Sequence, residues 1–136
     1  MLGVDKSDIT ILGYGDLTLE ALANCEDQEQ CFQSHSGCTV TYGVPSLNLY
    51  DYHFLNEGVE ADYTGRNLRN DLLNYMYAIR PEFVFTTSQF EWHTDHQYTY
   101  NLTLEALQAI HQENFSYMPV FATSVIHGED TSWPEK

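Results

Sequence analysis

Apolar positions along this chain follow two different periods. Leu68, Leu72, Met76 and Ile79 recur every three to four residues, the spacing of a helix with one buried face. Thr64 opens that helix and Pro81 ends it. Phe83-Val-Phe85 is a short apolar run that reads as a buried strand. Tyr98, Leu102, Ala106 and Ile110 form the inner face of a second helix. Thr94-Asp-His-Gln97 has the spacing of a capping box at its start, which puts Asp95 and His96 in the first turn. Met118 to Ile126 reads as a final strand, followed by His127-Gly128.

Upstream the pattern is weaker. Ile9-Thr-Ile-Leu12 is a short β-prone run, Gly13-Tyr-Gly-Asp16 a turn, and Leu17 to Ala23 a brief helix with Asp16 as its N-cap. From Asn24 to about Asp62 no period holds, and a loop of that length is usually functional or disordered. Tyr42, Tyr50, Tyr52 and Phe54 favour an ordered, substrate-facing excursion. The order β-α-loop-α-β-α-β predicts an α/β fold with a parallel sheet, and no repeat interrupts it.

Composition narrows the picture. At 136 residues the chain supports one domain, residues 1–136, and 43% hydrophobic content with ten tyrosines suits a folded one. Twenty acidic against five basic residues give a formal charge of −15. Phosphate binding rests on Lys and Arg, so this field argues against nucleic-acid and membrane-surface partners. No apolar run approaches the ~20 residues of a bilayer span, and the start lacks a signal peptide's features, which predicts a cytoplasmic protein. Cys25, Cys31 and Cys38 form no C-x-x-C pair. They are expected to be free thiols, with a loop metal site including His35 as the alternative. His111 falls among polar neighbours and is expected to be solvated. Asn101-Leu-Thr and Asn114-Phe-Ser fit a glycosylation pattern, but the first is mid-helix and nothing directs secretion.

Candidate chemistry concentrates in His93-Thr-Asp-His96, two histidines and a carboxylate between a strand and a helix. Open α/β sheets keep their functional groups at that edge, and imidazole with carboxylate is a catalytic zinc donor set. Local capping is the plainer alternative. His127 ends another predicted strand and would share the edge, unless it is a surface turn residue.

These residues carry a family resemblance. Arg80-Pro-Glu-Phe-Val-Phe-Thr-Thr87 followed by His93-Thr-Asp-His96 resembles the second signature of PIG-L-type (LmbE-like) zinc deacetylases, R-P-x-x-V-x-T and then H-P-D-H. Leu12-Gly-Tyr-Gly-Asp16 resembles the family's L-G-x-x-D turn. Thr41-Tyr-Gly43 with Asp51-Tyr-His53 resembles a subgroup's loop signature, and Tyr63-Thr64 with Asp71-Leu72 the helix before the second motif. Ile126-His-Gly128 and Trp133-Pro134 resemble its closing segments.

The resemblance implies a Rossmann-like three-layer fold and zinc-dependent removal of the N-acetyl group from an N-acetylglucosamine conjugate. It implies His96 as a zinc ligand, His93 as oxyanion stabiliser or acid, and Asp95 as the group tuning the histidine beside it. Asp16, His53 and His127 would face the substrate. Two departures stand out: Thr94 replaces a proline, and nothing in Met1 to Leu12 resembles the family's first signature, A-H-P-D-D-E. That motif supplies two zinc ligands and the carboxylate that activates water. The resemblance therefore implies an N-terminally truncated domain, and the alternative reading is a non-catalytic sugar-binding or interaction module.

Overall fold

The computed structural model describes residues 3–125. They form a small mixed α/β domain with four α-helices and two parallel strands. In chain order these are α1 (Leu19–Asn24), α2 (Tyr52–Glu57), α3 (Gly65–Ile79), β1 (Phe83–Thr87), α4 (Thr94–Glu113) and β2 (Val120–Ser124). His127 lies outside the described residues, as do the closing segments that follow it.

The two long helices form where the apolar period predicts them. Thr64 caps α3, its hydroxyl accepting from the Asn67 amide at 3.1 Å. Arg80 then turns left-handed ahead of Pro81, which ends the helix. Along α4, Leu102, Ala106 and Ile110 are buried as expected. Two clusters make the core. Met76, Val84, Ala106, Leu107 and Ile110 join α3, β1 and α4, while Leu22, Tyr63, Leu68 and Leu102 join α1, α3 and α4. Leu72 packs against both. Gly65 is required where α1 meets α3, since a Cβ there would stand 2.5 Å from the Leu22 carbonyl oxygen.

Strands β1 and β2 pair in parallel with Val84 opposite Phe121, and α4 connects them. Val84 and Phe121 pack on the core. Phe83, Phe85 and Val120 point the other way and are 58%, 66% and 59% exposed. Parallel sheets are ordinarily covered on both faces; this one carries an apolar face that no described residue covers.

Several local expectations are corrected. Asp16 is not the cap of α1. That helix begins at Leu19, and Asp95 of α4 accepts from the Leu17 and Leu19 amides instead, at 2.6 and 3.2 Å. Thr94 is the first residue of α4 and His93 its N-cap, with no side-chain capping bond. Gln97 turns its amide to the Glu91 carbonyl. Ile9 to Leu12 forms no strand, only a single parallel bridge from Ile11 to Asp51. The stretch from Asn24 to Asp62 contains α2, started by the buried Asp51, which accepts from the Phe54 amide and the Thr41 hydroxyl. The final strand is shorter than expected, and Met118 is exposed. His111 is not simply solvated: its Nδ1 lies 3.0 Å from the Tyr117 carbonyl oxygen. All three cysteines are free, with Cys38 packed against the cluster around Leu22.

Candidate functional site

The loop from β1 to α4 is strapped to the helix it precedes. Thr87 donates its hydroxyl to the His96 carbonyl at 2.8 Å, and the Glu91 amide donates to Ser88 at 3.2 Å. The His93 carbonyl accepts from the His96 and Gln97 amides and so begins the helix. This fixes His93 at the mouth of the loop and His96 one turn in.

Asp16 reaches them from the turn before α1. Gly13 makes that turn possible with φ +83°, and a Cβ there would lie 2.7 Å from the Tyr42 backbone. Asp95 is the clasp. Its two bonds to the amides of Leu17 and Leu19 tie the turn to the head of α4, across more than 70 residues of sequence. Asp16 Oδ1 is thereby held 3.8 Å from His93 Nε2, with the Asp16 side chain 74% exposed. One donor atom each from Asp16, His93 and Asp95 lies within 4.8 Å of the others. His93 Nδ1 is buried and makes no hydrogen bond among the described residues.

The donor set fits a divalent cation. Three protein ligands leave a fourth position open, the pattern of catalytic zinc sites. Tetrahedral donors about 2.0 Å from zinc stand roughly 3.3 Å apart, so modest side-chain closure would complete the geometry. Two carboxylates also suit harder ions such as Mn²⁺ or Mg²⁺.

His96 lies beside this triad. Its ring centroid is 5.0 Å from that of His93, and its Nδ1 is 3.4 Å from Glu91 Oε2. Glu91 is 1% exposed, a buried carboxylate that sequence reasoning missed because Glu in a loop ordinarily reads as solvated.

His53 belongs to a different constellation. Its Nδ1 is 2.7 Å from Asp71 Oδ1, and the Tyr14 hydroxyl donates to Asp71 Oδ2 at 2.7 Å. Asp71 and Tyr14 were not among the expected site residues. The available sign was a carboxylate three residues after Leu68, on the helix face that carries the core leucines. Burial, and next the charge of Asp71, push the Tyr14 phenol well above its ordinary range. Tyr63, its ring tilted against that of Tyr14 with centroids 5.5 Å apart, is pushed up to about 12, chiefly by burial. A wider cavity of about 550 Å³ lies elsewhere, between α4 and the approach to β2, and holds none of the predicted site residues.

Compared with known proteins, the chain matches no family model, no curated protein and no solved structure. Among the described residues, no helix is long and apolar enough to cross a membrane.

Proposed function

We propose that the edge formed by the Asp16 turn and the head of α4 is a divalent-metal centre, zinc by preference, of a hydrolase acting on an amide. One observation carries this reading: Asp16, His93 and Asp95 offer three donor atoms within 4.8 Å of one another, beside a second histidine. The likeness of residues 80–87 and 93–96 to the second signature of zinc deacetylases points to an N-acetylglucosamine conjugate as substrate and a Rossmann-like layered sheet as architecture. The uncovered face of β1 and β2 is consistent with that layering.

An ion held there would polarise the amide carbonyl and bring a bound water's pKa to roughly 7. His93 and His96 divide the remaining work. With His93 among the three donors, His96 would be the imidazole placed to donate to an oxyanion developing during attack. Glu91 would orient His96 for that role, and Asp95 ties the turn to the head of α4.

The test is zinc binding by the purified 136-residue chain beside His93→Ala and His96→Ala versions. One-to-one binding weakened about tenfold or more in either variant supports the reading, and N-acetylglucosaminide hydrolysis then becomes the next assay. Absence of binding, or binding indifferent to both substitutions, sinks it. A non-catalytic module is the second reading, favoured by Asp95: both its oxygens already accept backbone amides, which leaves Asp16 and His93 as the uncommitted pair.

A further inference from the structure

The groove between α2 and α3 has the makings of a ligand site of its own. It encloses about 290 Å³, with Tyr52, His53 and Asn56 on one wall and Asn67, Asn70 and Asn74 on the other. Beneath it lies Asp71, 3% exposed. We propose that this groove binds a neutral polyhydroxylated ligand, a sugar unit, through His53 and the asparagine amides.

The buried carboxylate sets the chemistry. Asp71 accepts from Tyr14 on one oxygen and meets His53 Nδ1 on the other, both at 2.7 Å. A carboxylate only accepts at such a contact, so the network assigns a proton to Nδ1 and leaves Nε2 as the second ring nitrogen. No described residue bonds Nε2, and 22% of the His53 side chain is open. In the neutral ring Nε2 accepts a hydroxyl proton. With both oxygens engaged, Asp71 is a support for His53 rather than a contact for the ligand.

The amides supply the rest. Asn67, Asn70 and Asn74 follow helical spacing along α3, on the face that carries Asp71. Asn70 and Asn74 are exposed, and their side chains make no hydrogen bond among the described residues. Each carboxamide presents donors and an acceptor side by side, which matches adjacent hydroxyls that also donate and accept. The Tyr52 ring, held edge-on by Tyr75 at 5.7 Å, offers a flat apolar surface for the C–H face of a pyranose.

Other ligand classes fit poorly. No Lys or Arg lines the groove and Glu57 does, so phosphates and carboxylates meet repulsion. Its walls are too polar for a lipid tail. A metal is better served by Asp16, His93 and Asp95, the group of candidate ligands among the described residues. The sugar proposal uses none of those three and stands whether or not they hold an ion.

The experiment is an NMR titration of the isotope-labelled full chain with glucose, mannose and N-acetylglucosamine in the presence of EDTA, with inorganic phosphate as the control. The expected result is a saturable shift of the Asn70 and Asn74 side-chain amides with at least one sugar and none with phosphate. An Asn70→Ala/Asn74→Ala variant, changed only at exposed helix positions, should keep its circular dichroism and bind about tenfold more weakly. No shift with any of the three sugars, shifts confined to the loop around His93, or full affinity in the double variant would each overturn the proposal.

Discussion

His53 and His93 are both partnered by an aspartate, yet the two settings are opposites. His53 meets a buried carboxylate whose other oxygen is bonded to Tyr14, so each group at the base of that groove has a defined partner. His93 stands 3.8 Å from an exposed Asp16, with its other nitrogen buried and unbonded among the described residues. The first orients one ring through Nδ1 and leaves its Nε2 open towards the groove. The second is a set of donors awaiting something to converge on. A carboxylate with both oxygens engaged holds its ring in one orientation, whereas loosely placed donors leave room for an ion to draw them together.

The sharpest way to break this contrast is to remove Asp71. Asp71→Ala should cost about 3 kcal/mol, because it strands the Tyr14 hydroxyl and frees His53, whereas Asp16→Ala should change stability by less than about 0.5 kcal/mol. Urea denaturation of the two variants measures the difference, and equal losses would contradict it.

Alkaline titration probes the same network. The folded-state pKa of Tyr63 lies near 12 against an unfolded value of 10, so the native state holds its proton to higher pH. Stability should therefore be level below pH 10 and fall as pH climbs from 10 towards 12, by on the order of 2 kcal/mol. Tyr14, raised in the same direction, steepens the decline. Tyr63→Phe should flatten that limb in chemical denaturation followed across pH; an unchanged limb would assign it to other groups.

Asp95 should give a smaller effect than either Asp71 or the tyrosines. Asp95→Ala removes a helix cap made from another helix, worth about 1 kcal/mol in thermal melts, and releases the Asp16 turn. Any zinc affinity should fall in the same variant, and a variant that keeps both would show the clasp to be dispensable.

Sequence reading served these regions unequally. Helices α3 and α4 were legible because fifteen and twenty residues carry several turns of apolar repeat. Helix α2 was not: at six residues it has no period to show, and Asp51 caps it from inside an apparent loop. The cluster His93, Asp95 and His96 was legible as chemistry because its members are adjacent in sequence. Its junction with Asp16 was legible only as one turn resembling a family's, since Asp95 looks like a first-turn carboxylate until its two distant amides are seen. The Tyr14–Asp71–His53 relay draws on three segments separated by long intervals. No local spacing encodes it, and only a carboxylate on an apolar helix face hints at it.

The exposed phenylalanines of β1 have a consequence for the protein as a dispersed particle. Phe83, Phe85 and Val120 make a sticky patch on a pair of strands whose outer edges no other described strand pairs. Against that attraction stands the mutual repulsion of molecules carrying a charge of −15. The repulsion reaches only about 10 Å at 0.1 M salt and less as salt rises, while the apolar attraction strengthens with excluded salts such as sulfate. Ionic strength is therefore the dial that sets how crowded a solution of this chain can become before its molecules cohere.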